Sequence, residues 1–283
     1  MIGTWNISGK GVITVAKRKT ELTEKKILDM EKEGRGQGEG ETYKPWINIQ
    51  DVPSIGVSTR GKGWKTNRIH QFLSKLERNY FYVVEWNDAV MDIREQYPLI
   101  RDDTWIIANE KGIKHPTDPK SQVPIVMTTD FLITIKDSTG TKHVARTIKP
   151  SSELENERTI EKFEIERAYW EDRGIDWGII TEKEIPKDMV ENVEWLHSSY
   201  FEIEDLPATT LKTFAQQMKS FIKKYNTSII EMVSEFDQTF QLENGMGLEI
   251  LKHLIARKEV PVDITKKIYT HLWVEDVFKL DFI

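Results

Sequence analysis

The chain has 283 residues, no cysteine, and 40 Lys plus Arg against 46 Asp plus Glu, a formal charge of −6. Without cysteine, a disulfide scaffold, a thiol nucleophile, a cysteine-ligated zinc site and an iron–sulfur cluster are excluded. The longest strictly apolar run, residues 80–84, is far short of the roughly 20 that a membrane helix needs. Residues 1–10 show no basic-then-apolar signal pattern, so the expected setting is a reducing cytoplasm with no membrane partner.

The net charge is an average. Residues 1–76 hold 14 Lys/Arg against 8 Asp/Glu, and residues 77–283 hold 26 against 38. A basic N-terminal quarter therefore sits on an acidic body, which permits phosphate contact from one surface. The cations expected to make that contact are Lys17, Arg18, Lys19 and Arg35. A solvated charged face is the plainer alternative.

In chain order, residues 11–15 form a short possible strand ahead of the Lys17-Arg18-Lys19 cluster, and residues 21–33 favour helix. The glycine-rich stretch at residues 34–40 is not a dinucleotide loop, because its glycines miss the G-x-G-x-x-G order and no buried strand precedes them. It reads as a flexible connector. From Asn67, the spacing of Ile69, Phe72, Leu73, Leu76, Tyr80 and Phe81 predicts one amphipathic helix. Residues 90–97 read as a strand ended by Pro98, and residues 102–124 as a long polar excursion. Residues 129–135 and 142–149 form a hairpin around the turn at 136–141. A charged helix follows at about 153–173, capped by Ser151 or Ser152 and stopped by Gly174, and then a short buried strand at 177–181. The order predicts an α/β fold, a mixed sheet flanked by helices. Beyond about residue 186 the pattern is mostly helical, with stripes over 211–225, 229–236 and 247–257. Residues 260–264 form a short strand or wing. A winged-helix module and a plain helical protein-binding domain both suit this stretch. The expected division is 1–66, a basic extension and loop region; 67–186, a catalytic core; and 187–283, the helical C-terminal domain.

Three positions stand out chemically. Glu77 lies near the apolar side of its helix, one turn after Leu73 and one before Phe81, so it is either paired structurally with a cation or holds a metal. Asp130 opens the hairpin and Lys149 closes it, which brings Asp130 opposite residues 147–149. The pair is either an Asp–Lys ion pair or part of a hydrolytic site. In the latter, Glu77, Asp130 and the Ile148 carbonyl would bind Mg²⁺ through hard oxygen ligands, with Lys149 orienting the attacking water. Glu166, three residues after Phe163 and four before Trp170, turns inward as an auxiliary acid. Zinc chemistry is disfavoured, since the six histidines include no His-x-x-x-His pair.

The order of elements, with Glu on the first helix, Asp opening the hairpin and x-x-Lys closing it, resembles the restriction-endonuclease-like nucleases. More specifically, the chain is similar to the TnsA family, the endonuclease subunits of heteromeric bacterial transposases. The matching stretches are Gly34-Arg35-Gly36-Gln37-Gly38 with Pro45-Trp46, Leu76-Glu77, the Asp-Ile-Arg-Glu-Gln run ending at Gln96, Gly112-Ile113-Lys114-His115-Pro116, Thr129-Asp130-Phe131-Leu132, Ile148-Lys149-Pro150, and Glu166-Arg167 with Tyr169-Trp170. The resemblance implies Glu77, Asp130 and Lys149 as the catalytic set with Glu166 in support, and Mg²⁺ as cofactor, with Mn²⁺ substituting. It implies cleavage at the 5′ ends of transposon DNA, beside a DDE-type transposase subunit. It also implies an AAA+ ATPase regulator contacted through the C-terminal domain, in a nucleoid-associated bacterial setting. Thr147 departs from the pattern, standing where related nucleases carry Glu, Asp or Gln. The alternatives are a non-catalytic DNA-binding or bridging subunit, and a stand-alone restriction- or repair-type nuclease.

Overall fold

The computed structural model describes residues 21–52, 58–201, 203 and 206–279. The strand expected at residues 11–15 and the cations Lys17, Arg18 and Lys19 lie outside them.

Helix α1 (Glu24–Lys32) starts where the Thr23 side chain accepts the Lys26 amide, and it buries Ile27 and Met30 against Trp46 and Val126. The glycine-rich stretch is folded rather than free. Gly34, Gly36, Gly38 and Gly40 all have positive φ, and a Cβ on Gly36 would lie 2.2 Å from Pro98 Cγ. Only glycine allows the loop to rest this closely on the end of the next strand but two.

Strands β1 (Thr59–Lys62) and β2 (Ile69–Phe72) pair antiparallel. The single helix expected from Asn67 is therefore a strand followed by a helix. His70 and Phe72 are buried while Ile69 is exposed, the period-two alternation of a strand. Helix α2 (Lys75–Trp86) begins only after Ser74, whose hydroxyl accepts the Glu77 amide at 3.1 Å. Ser-x-x-Glu is a helix-start signature, and it marks this boundary.

Strand β3 (Val90–Pro98) leads into α3 (Arg101–Glu110), a helix within the stretch expected to be a polar excursion. Its buried face is narrow, Thr104, Ile107 and Ala108, and it becomes helical by packing on α4 with Leu99, Ile165 and Tyr169. Strands β4 (Thr128–Asp137) and β5 (Gly140–Ile148) form the expected hairpin. Helix α4 (Glu157–Glu171) is capped by Asn156, whose side chain accepts the Thr159 amide, while Ser151–Glu155 make a short 3₁₀ turn ahead of it. Gly174, at φ +64°, follows the helix, and β6 (Asp176–Ile180) runs parallel to β5. The sheet order is β3-β4-β5-β6, antiparallel except for the last pair. This is a mixed sheet flanked by helices.

The C-terminal region is largely helical: α5 (Lys187–Leu196), α6 (Ala208–Lys224), α7 (Ile229–Phe240), α8 (Met246–Ala256) and the short α9 (Val274–Val277). Where a strand or wing was expected at residues 260–264, Val262 makes only an isolated bridge to Phe278; Pro261 has no amide to extend a ladder. One contiguous apolar cluster runs from Phe72, Phe81 and Ile93 through Val193 and Leu196 to Met218, Phe236 and Leu254. That continuity holds α2 against the sheet and the C-terminal helices together. Among the described residues, no helix is long and apolar enough to cross a membrane.

Candidate active site

Three elements converge at the N-terminal end of α2. Glu77 lies in the first turn of that helix, 7% exposed, and its Oε2 accepts the Leu73 amide at 3.0 Å. Asp130, on β4, accepts the Ile148 amide through Oδ2 at 2.7 Å, next to where the β4–β5 pairing ends at Phe131 and Arg146. Between the two carboxylates lies Gln96 of β3, whose Nε2 is 3.2 Å from Asp130 Oδ1 and 3.5 Å from Glu77 Oε2.

The electrostatics follow from that placement. Burial, reinforced by the Asp130 charge, pushes the Glu77 carboxyl up to about 8. Burial also raises Asp130, against the opposing pull of the Ile148 amide, Gln96 and Lys149. Two like-charged groups that resist ionising side by side are stabilised by a cation. Lys149, the cation whose charge Asp130 feels, is not ion-paired with them. Its ammonium pairs with Glu153 Oε2 at 3.0 Å, so the simple Asp130–Lys149 ion pair does not form. The donors facing this gap are oxygens, which fit a hard divalent cation rather than zinc. Among the described residues no group of three or more His, Asp or Glu is assembled as a metal site, so any cation here would draw further donors from outside that set.

Glu166 does turn inward. It is 3% exposed, and its Oε1 accepts the hydroxyls of Thr129 at 2.6 Å and Thr147 at 2.5 Å. Burial pushes its carboxyl up to about 7, with the Asp130 charge adding to the rise against those hydrogen bonds. Its direct partners are thus the two threonines rather than Asp130. Trp170 Nε1 donates to Thr129 Oγ1 at 2.7 Å and Trp177 Nε1 to Thr147 Oγ1 at 3.3 Å, which fixes the arrangement from both sides. Arg35 is committed to the fold of the glycine loop: its guanidinium bonds Glu33 at 2.7 Å, Asp51 at 2.5 Å and the Trp46 carbonyl at 3.1 Å.

Two features had no signature of their own in the sequence. One is Gln96, which belongs to the Asp-Ile-Arg-Glu-Gln run but whose aim depends on backbone conformation. The other is the buried cluster directly behind it. Glu95, fully buried, bonds Arg68 through both oxygens (2.8 Å to Nη1), His70 Nδ1 at 2.8 Å and the Gln71 amide at 3.1 Å. Burial alone would raise this carboxyl, but His70 and Arg68 outweigh it and hold it at about 2. Arg68 also donates to the carbonyls of Gly40 and Ile93, tying the glycine loop, β2 and β3 into one unit.

A helix-flanked mixed sheet with paired carboxylates where β3, β4 and α2 meet is consistent with the restriction-endonuclease-like fold. Comparison with known proteins is more specific. Residues 87–182 match the family described as TnsA-like endonuclease N terminal, and residues 184–264 match TnsA endonuclease C terminal. The chain is 40% identical over 252 residues to the transposon Tn7 transposition protein TnsA of Escherichia coli, covering 89% of this chain and 90% of that protein. The chain belongs to the TnsA endonuclease family.

Proposed function

We propose that the chain is a metal-dependent DNA endonuclease that hydrolyses phosphodiesters at the 5′ ends of a transposon within a cut-and-paste transposition complex. The observation that carries this is the Glu77–Asp130 pair: a buried and a partly buried carboxylate that share one amide group, with the available lysine engaged elsewhere. Family membership supplies the class of reaction. In this reading Glu77, Asp130 and the Ile148 carbonyl hold Mg²⁺ or Mn²⁺. When bound, such a cation supplies Lewis-acid stabilisation of charge on the phosphodiester. Asp130 is held for that role by the Ile148 amide, and Glu77 by the cap of α2. Lys149, at the end of β5 and partly exposed, orients the attacking water, its charge already felt by Asp130. Glu166 supports from behind the hairpin.

The partners in this reading are transposon-end DNA, a DDE-type transposase subunit that processes the 3′ ends, and an AAA+ ATPase regulator engaged through the C-terminal helices. The test is cleavage of transposon ends with the cognate transposase present, comparing wild type with Asp130→Ala and Lys149→Ala. Loss of 5′-end cleavage by at least about a hundredfold in both is expected, as for other residues essential to a chemical step; full cleavage by both variants overturns the assignment.

One observation favours a second reading, a non-catalytic bridging subunit. Thr147 gives its hydroxyl to Glu166, so β5 contributes no side-chain carboxylate to the site. Titration with Mn²⁺ decides between the two: saturable binding abolished by Asp130→Ala supports the nuclease, and absence of binding supports the bridge.

A further inference from the structure

The Glu77–Asp130 pair lacks a third Asp, Glu or His among the described residues. The side chain wedged between them is Gln96. Its backbone is left-handed, at φ +47°, within β3. For a residue with a Cβ this conformation is uncommon and persists where the surroundings over-determine it. Here they do. The Trp46 amide donates to the Gln96 carbonyl at 3.1 Å, Thr128 Oγ1 donates to Gln96 Oε1 at 3.3 Å, and Nε2 reaches Asp130 and Glu77. The side chain is thereby buried, 2% exposed, and aimed at both carboxylates.

A carboxamide is two-sided. Half a turn about its last bond exchanges an NH₂ donor for a carbonyl oxygen without changing its shape. Its neighbour tolerates either state, because the Thr128 hydroxyl donates to Oε1 in one orientation and accepts from Nε2 in the other. An NH₂ group suits two carboxylates facing each other, and it opposes a dication; a carbonyl oxygen suits the dication.

We propose that Gln96 is the third side-chain oxygen donor of the cation site, turning its NH₂ to Glu77 and Asp130 in the metal-free protein and its Oε1 to a hard divalent cation when one binds. The proposal rests on the nuclease-site reading. It assigns to β3 the neutral oxygen that Thr147, bound to Glu166, does not supply from β5.

The test is Mn²⁺ binding to the full chain, read as loss of the free-ion electron paramagnetic resonance signal, for wild type, Gln96→Met, Gln96→Glu and Asp130→Ala. Gln96→Met has the same reach and no oxygen, and it weakens binding by about tenfold or more, the scale of losing a neighbour that shapes a metal site. Gln96→Glu keeps an oxygen at the same reach and binds at least as tightly as wild type. Wild-type affinity in Gln96→Met overturns the proposal, as does a Gln96→Glu chain that binds no better than Gln96→Met. If Gln96→Met does not fold, Gln96→Asn takes its place with the same two outcomes, since asparagine accepts the left-handed backbone but stops one methylene short. Asp130→Ala keeps the two readings apart. Binding lost there but unaltered in Gln96→Met removes Gln96 alone, whereas binding unaltered in both removes the metal site itself.

Discussion

Glu166 is a buried carboxylate that ties the fold together directly behind the candidate site. It holds Thr129, the residue before Asp130, and Thr147, two residues before Lys149, by one oxygen, so it sets the relation of the two hairpin strands where the catalytic candidates emerge. Its carboxyl is raised from the ordinary range to about 7, chiefly by burial. The folded chain therefore keeps a proton that the unfolded chain releases above pH 4.5, and stability falls as pH rises from there through about 7. Glu166→Gln retains an acceptor oxygen for both hydroxyls and cannot ionise. Thermal melts at pH 5 and pH 8 are expected to show a smaller loss of stability in the variant than in wild type; equal losses would show that another group governs the slope. The inward turn of Glu166 was legible from its spacing to Phe163 and Trp170. The threonine partners were not, because they arise from register between separate strands.

At the scale of the element, α2 matters most, because its first turn carries the candidate carboxylate Glu77. Ser74 is the N-cap, and Glu77 is the residue whose amide it accepts. The same Glu77 side chain returns to the Leu73 amide, so cap and carboxylate are one structure. Removing the hydroxyl by Ser74→Ala is expected to lower stability by about 0.5–2 kcal/mol. It should also lower cleavage more than that loss explains, since Glu77 loses its anchor. Denaturant unfolding beside transposon-end cleavage would measure both, and unchanged cleavage would show that Glu77 is positioned by the core alone. The apolar spacing that suggested one helix from Asn67 merged β2 with α2, because Ile69, Phe72 and Phe81 satisfy a 3.6-residue period as well as they satisfy a strand followed by a helix. Ser-x-x-Glu at 74–77 was the local clue to the break. In α3 the converse holds: its buried stripe is too narrow to announce itself, and packing on α4 decides it.

Across the whole molecule, the site is held from behind by buried charge. Glu95 joins β3 to β2 through Arg68 and His70, and Arg68 reaches on to the glycine loop. Gln96, the next residue on β3, inherits its position from this cluster and from Trp46. Arg68→Met leaves a fully buried carboxylate short of its main cation. The expected cost is about 3–5 kcal/mol, the scale for breaking one side of a buried pair. Equilibrium unfolding would test this, and a change under about 1 kcal/mol would mean that His70 alone compensates. The net charge of −6 is also clearer at this scale. Part of the acidity is buried in Glu77, Glu95 and Glu166 rather than displayed, so total charge is a poor guide to how this surface meets DNA.

Patterns local in sequence determined the strand β3 ended by Pro98, the β4–β5 hairpin, the charged helix stopped before Gly174, the β6 strand and the C-terminal helical stripes. The placing of Asp130 opposite residues 147–149 followed from counting along a hairpin, and the family resemblance followed from ordered motifs. These features depend on periodicity, turn chemistry and short-range register, which a single chain segment carries by itself. Only the tertiary structure decided that the glycine loop rests on Pro98, that Lys149 pairs with Glu153, that Glu95 gathers Arg68 and His70, and that a left-handed residue turns Gln96 onto two carboxylates. Each of these joins residues distant in sequence or sets a backbone angle through contacts made elsewhere. They are settled by which surfaces pack together, and no local pattern encodes that.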